Sequence, residues 1–450
     1  TTDGGVSLGT GAVPTFTNTG TFRKSSGSLT SSVYVPFTNS GGTVQVDSGT
    51  LRFRKSSSFN GGTYTVASGA TLIFSEGGQT HTISGTLSGT ISGTIKVDAA
   101  TLTVASGGAT FAFGGNGFTF ESGTINGSGT LTNTGPFRIT GTNYKYLSEV
   151  TLANQGTVTY TGERIYLQNG ATINNSGTFD LATNAEISSS TGSGTVSNSG
   201  TFRKSSGTST SEISVPFDNG SSGTIDVQTG TLYLSGTFAN FSGSTLTGGN
   251  YQGAGKLKFT DASIATNTGN ITLNGNSAPI VNQSGVNALS SLSANGSGGT
   301  ITIENGANLT TSGAFSNAGA LSVGASSSFT AGGNYTQTGG STTLASGTLA
   351  AGTVDIQGGT LSGVGTINGS VVNGGQGTPG ASPGVLDISG GYTQSSGGRL
   401  NVEIGGFTAG TEHDRLNVTG AAALDGTLDI GLINGFTPVT GNSFEIMSYG

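Results

Sequence analysis

The chain of 450 residues holds 83 Gly, no Cys, no Trp, one Met and only 8% charged residues, with a net charge of −7. No disulfide framework or thiolate metal site is open to it, and its charge gathers neither nucleic acid nor acidic lipid. No run approaches the roughly 20 apolar residues of a membrane-spanning helix, so no membrane-spanning segment is expected.

The opening TTDGGVSLGT has neither a charged n-region nor an apolar h-region and reads as a processed chain or an excised segment. The first recurring unit follows. NTGTFRKSSG at 18–27 returns as NSGTFRKSSG at 198–207, and SSVYVPFTN at 31–39 is answered by SEISVPFDN at 211–219. This pairs 18–59 with 198–238 as a long duplication. Inside it runs a finer period: Asn18, Asn39 and Asn60 are 21 residues apart, as are Asn133, Asn154 and Asn175, and again Asn198, Asn219 and Asn240. Most open the pattern Asn-x-Gly-x-apolar, so they are read as structural residues that mark the turn of a repeating coil.

Within a coil the period is two. Val44, Val46, Leu51 and Phe53 alternate in GTVQVDSGTLRF, as do Ile225, Val227, Leu232 and Leu234 in GTIDVQTGTLYL. Short alternating runs joined by Gly-containing turns are strands, with Gly and Asn read as the residues that tolerate positive φ. No coil can bury its own apolar side chains, but stacking joins them into columns. The expected fold is therefore all-β: a parallel β-helix, a β-solenoid with coils of about 21 residues. The repeat region spans 1–375, a Gly/Pro turn segment spans 376–384, and a C-terminal module fills 385–450.

Candidate chemistry appears along the way. FRKSS occurs at Phe22–Ser26, Phe53–Ser57 and Phe202–Ser206. The first and third copies lie four residues beyond a coil-opening Asn and so are expected to share a phase. A basic patch of Arg23, Lys24, Arg52, Arg54 and Lys55 would suit sulfate, phosphate or uronate groups. The same residues also read as duplicated coils whose charges discourage sideways aggregation. Asp98 and Glu121 fall in one turn phase, 23 residues apart, with Lys96 beside them and Asp47 in the same phase. They are the candidates for the acid pair of a β-helix hydrolase, which stands roughly 5–10 Å apart. This turn also favours Asp for backbone capping. His81 and His413 are the only histidines; each reads as a surface or turn residue, and no metal or other cofactor is expected. Thr-x-Thr pairs such as Thr63/Thr65, Thr130/Thr132, Thr157/Thr159 and Thr300/Thr302 are exposed strand residues, or a flat face for ice or crystalline polysaccharide if aligned. Thr63 and Thr157 share a phase in this reading.

From Phe259 to Gly398 no basic residue occurs. The last region carries a recognisable pattern: SPG at 382–384, Leu386-x-Ile388-x-Gly390, Tyr392-x-Gln394, Asp414-x-Leu416-x-Val418-x-Gly420, Gly426-Thr427-Leu428 and Phe444-x-Ile446. On these motifs 359–406 and 413–450 resemble the passenger domains of bacterial autotransporters and related β-strand-repeat surface proteins. The resemblance implies a right-handed β-helix projecting from a bacterial outer membrane. The translocating β-barrel of that family is not among these residues.

The functional expectation is an extracellular structural or adhesive surface protein, not an enzyme: a β-helical stalk or fibre whose partners are surface glycans or host and matrix proteins. The alternatives are a carbohydrate-active enzyme built on Asp98 and Glu121, and a filament subunit joined end to end by self-association.

Overall fold

The structure, a computed structural model, describes residues 3–7, 9, 14–275 and 277–450. It is all-β, with one short 3₁₀ turn at Ala288–Ser291 among the described residues. Two compact units divide the chain, one ending at Ala239 and the other beginning at Asn240. Each is a parallel β-solenoid with coils of about 21 residues, as the period of the sequence predicts.

In the first unit every coil contributes to three columns of parallel strands. Column A begins with Phe16–Asn18 and Phe37–Ser40 and continues through Gly123–Asn126, Lys145–Ser148 and Ile165–Gln168. Column B holds two adjacent rows. Thr21–Lys24 and Thr43–Val46 align through Thr63 and Val66 with the row that reaches Ala112 and Gly115. Thr130–Asn133, Thr151–Asn154, Thr172–Asn175 and Thr195–Asn198 align with Ala109 to Phe111, just before it. Column C runs from Thr30–Val33 and Thr50–Phe53 to Thr178–Leu181, Thr201–Lys204 and Thr224–Val227. Alternation does the packing: Leu51, Leu72, Ile95, Phe118, Phe137, Val158, Phe179, Phe202 and Ile225 lie in one unbroken register, all buried. Each such side chain contributes about 1.5–3 kcal/mol by leaving water. The outward row beside them holds Thr157, Thr178, Thr201 and Thr224, a good residue for a solvated strand face.

The corner between columns B and C is built on asparagine. Asn133, Asn154, Asn175, Asn198 and Asn219 are buried, and each amide nitrogen donates to the next Oδ1 at 2.7–2.8 Å. The same nitrogens reach the corner's inward carbonyls, as Asn154 does to Thr178 O at 2.9 Å and Asn175 to Thr201 O at 3.0 Å. Buried polar groups are thereby satisfied where the chain turns. The glycine of Asn-x-Gly is needed for close approach: a Cβ on Gly177 would sit 2.1 Å from Gly156 O. These asparagines close strands rather than adopting positive φ, which corrects the turn geometry read from sequence.

Asn18 and Asn39 belong to a different corner. They end or nearly end strands of column A, and Asn18 Nδ2 donates to Asn39 Oδ1 at 2.7 Å. Register then aligns Asn39 with Phe59, so Asn60, one residue on, faces outward and only accepts from Ser84 Oγ at 3.0 Å. A one-residue slip reverses every side chain.

The second unit repeats the plan. Asn267 donates to Asn295 and Asn295 to Asn317, both at 2.9 Å, and Gln337, Asn373 and Gln394 are buried in the same column. Asn240 is buried and bonds Thr247 O at 3.1 Å. Gln376–Pro379 is a strand paired with Thr360–Asn373, so the Gly/Pro segment lies within the stack. Asp414 is buried and accepts from Gly384 N and Glu403 N, both at 2.9 Å; burial raises its pKa despite those bonds. In Thr427–Leu432 the inward row Leu428, Ile430 and Leu432 aligns with the buried Leu400, Val402 and Ile404 but is half-exposed. Among the described residues no helix is long and apolar enough to cross a membrane.

Candidate functional site

The three FRKSS copies do not share one role. Arg23 and Lys24 lie in column B, whereas Phe202, Arg203 and Lys204 lie in column C, aligned with Phe179, Asp180 and Leu181. The expected common phase of the first and third copies is therefore wrong. Column C also holds Phe53, in register with Phe74. The Thr63/Thr157 pairing fails alike: Thr63 aligns with Thr43 in column B and Thr157 with Thr178 in column C.

What the first and third copies do share is a buried lysine. In Thr-Phe-Arg-Lys the period of two turns Lys24 and Lys204 inward with the phenylalanine. Lys24 is 4% exposed, and its ammonium donates to Asp3 Oδ1 and Ser26 O, both at 3.0 Å. Lys204 is fully buried and donates to Thr183 O and Ser206 O at 2.9 Å and to Asn184 Oδ1 and Ser211 Oγ at 3.2 Å. Burial lowers the Lys204 pKa. In the second copy Phe53 ends the strand, so Lys55 falls beyond it and is exposed.

Of the other candidate cations, Arg23 and Arg54 are paired across neighbouring coils. Arg23 meets Asp47 at 2.6 Å, and hydrogen bonds from Gln45 and then Arg23 hold the Asp47 carboxyl below its usual range. Arg54 pairs with Glu76 and lies over the Tyr34 ring at 5.6 Å. Arg203 pairs with Asp180 at 3.0 Å. Arg52 and Lys55 make no ion pair among the described residues.

Asp98 and Glu121 do stand in adjacent coils, since Val97 aligns with Phe120. Lys96 joins them: it pairs with Glu121 and lies 3.8 Å from Asp98, whose other oxygen accepts from Ser122 Oγ at 2.8 Å. Both carboxylates are about one-third exposed. The trio ties one coil to the next.

Neither histidine is at the surface, contrary to the sequence reading. His81 aligns with the inward Ser57 and Leu102 and lies 5.6 Å from the Phe74 ring. Burial pushes its pKa down to about 4, against a weaker opposing interaction with the Ser75 backbone. His413 is buried, with Nδ1 3.1 Å from Gly406 O and the ring edge-on to Phe444. No cluster of three or more His, Asp or Glu capable of holding a metal exists among the described residues.

The sequence reading passed over two features. Lys145 is a third interior lysine, donating to Gly141 O and Asn143 O at 2.7 Å, its pKa pushed down to about 8 by burial. Beside it three tyrosines gather on the outer side of column A. The rings of Tyr146 and Tyr166 stack with centroids 5.4 Å apart and planes 13° from parallel, and Tyr144 meets Tyr166 edge-on at 5.5 Å. The signal was Tyr-x-Tyr at 144–146 and a tyrosine one coil later. Column B carries a separate groove of about 240 Å³ lined by Gln155, Asn174, Ser176, Ser197 and Asp218 among others.

No family model matches the chain, and no curated protein or solved structure does.

Proposed function

We propose that this chain is an extracellular or cell-surface structural protein, a non-enzymatic β-solenoid stalk whose outer faces adhere to glycans or matrix. The observation that carries the reading is where the charges go. Arg23–Asp47, Arg54–Glu76, Lys96–Glu121, Arg164–Glu186 and Arg203–Asp180 each join neighbouring coils. Such exposed pairs contribute little individually, but they hold these cations between coils, and the outward rows between them carry Thr, Ser, Asn and Gln. The likeness of 359–406 and 413–450 to autotransporter passenger domains supports a surface location.

Beads coated with the purified chain are expected to adhere to polysaccharide surfaces without shortening the polymer. Release of shorter products, abolished by Asp98→Asn, would instead establish the carbohydrate-active enzyme.

A further inference from the structure

The outer row of column A runs Thr101, Thr124, Tyr146, Tyr166, Ser188 in unbroken register. Small hydroxyl residues therefore flank two large rings, Thr124 on one side and a buried Ser188 on the other. Aromatic rings on a solvated face leave apolar area in water, which is tolerated best where that area is used. These rings are also held before any ligand arrives. Tyr166 is fixed by the edge of Tyr144 and by Arg164, which lies 5.5 Å from its centroid and donates to its hydroxyl at 3.1 Å. Arg164 is itself anchored by Glu186. Rings ordered in advance lose little freedom on binding.

The neighbouring outward row supplies the polar half of a site. Thr103, Asn126, Ser148 and Gln168 align there, coil by coil. Asn126 accepts from Thr103 Oγ1 at 2.6 Å, Ser148 from Asn169 at 3.0 Å, and Gln168 donates to Ser190 Oγ at 2.6 Å. These bonds orient the amides and hydroxyls, which retain donors and acceptors in excess of those used. Tyr146 stacks on Tyr166 with one face, so its other face is turned toward the coil of Thr124 and Asn126. The ring and the polar row thus border the same strip.

Charge narrows the ligand. Arg164 is neutralised by Glu186, Lys145 points inward, and Glu149 and Glu163 are exposed nearby. The surroundings are neutral to acidic, which disfavours uronates and sulfates. An uncharged ligand with apolar C–H faces and a dense ring of hydroxyls fits both halves.

We infer that Tyr144, Tyr146 and Tyr166 form a binding platform for a neutral polysaccharide, a hexopyranose ring stacking on Tyr146 while its hydroxyls bond the Asn126, Ser148 and Gln168 row. The inference rests on the adhesive reading and gives that reading a location and a ligand class.

The test titrates linear neutral oligosaccharides (glucan, mannan and chitin series) into the full chain, beside an acidic uronate series, at low and high salt. With no Trp in the chain, tyrosine fluorescence reports binding. Tyr146→Thr and Tyr166→Thr keep the fold, because Thr101 and Thr124 already occupy that row; Tyr34→Thr is the control. A neutral oligosaccharide is expected to bind independently of salt and to bind on the order of tenfold more weakly to each platform variant, with the control unchanged. Adhesion or binding unaffected by the platform variants would overturn the inference and leave the adhesive reading standing. Salt-sensitive binding of the uronate series alone would do the same. Silence across every series and on coated beads would remove both.

Discussion

Two stretches of the first unit build the same corner from opposite materials. From Asn133 to Asn219 it is filled by a bonded run of amides, whereas in the preceding coils the aligned positions are Phe111 and Leu87. The amide stretch has short strands that stop at the asparagine, such as Thr151–Asn154 and Thr172–Asn175. The apolar stretch has long strands that run on past that position, Ser57–Val66, Thr80–Ile91 and Ala100–Gly115, with register slips just before it, between Asn60 and Gly62 and between Val104 and Ala109. Apolar contact is non-directional and lets the strand run on past this position. An amide bonded above, below and to the corner carbonyls does not. In the second unit strands close at Asn267, Asn295 and Asn317, and the long strands Ser341–Ile356 and Thr360–Asn373, whose mutual register shifts along their length, also end at this column, on Ile356 and Asn373.

The sharpest break in this comparison is Asn175→Leu. The apolar side chain suits the volume, as Leu87 shows in the earlier coils, but it orphans Asn198 Oδ1, removes the acceptor of Asn154 Nδ2 and takes the amide bond from Thr201 O, while Gly177 O keeps only its bond from Thr201 N. The expected cost is roughly 4 kcal/mol, read from chemical denaturation; the exposed Asn60→Leu should cost less than about 0.5 kcal/mol.

Lys204→Met comes next. It removes the ammonium from its four acceptors and strands Ser206 O, while Thr183 O keeps the Ser211 hydroxyl, at about 3 kcal/mol. Lys55→Met, in the same pentapeptide, should be close to neutral. Equal effects would mean that FRKSS has one role after all.

His81 gives the smallest effect and belongs to the apolar stretch. Its folded pKa of about 4 lies below the unfolded value near 6.5. Below pH 6.5 the unfolded chain binds a proton that the folded chain refuses, so stability present above that pH is lost as the pH falls toward 4. The loss reaches about 2 kcal/mol by pH 5. Thermal unfolding of His81→Leu between pH 7 and pH 5 should show a smaller decline than the parent chain.

Much of this was legible in the sequence. The period of 21, the alternation and the absence of any helical period fixed the class of fold, because each follows from strand geometry alone. Phase was not legible. The 94 residues between Asn39 and Asn133 are not a whole number of 21-residue coils, and the longer coils between them moved the Asn-x-Gly motif from one corner to the next. That displacement undid the shared phase of the FRKSS copies. The burial of Lys24 was within reach, since Phe22 and Lys24 lie two apart on one strand; charge was given more weight than alternation. The tyrosine platform was obscured because its members meet only through stacking of separate coils.

The most direct test of the amide run as a connected ladder is a double-mutant cycle of Asn154→Leu and Asn175→Leu. If the amides act as one bonded series, the pair will cost at least about 1 kcal/mol less than the two single changes added together. Additivity to within roughly 0.5 kcal/mol would contradict the account and leave the asparagines as separate corner plugs.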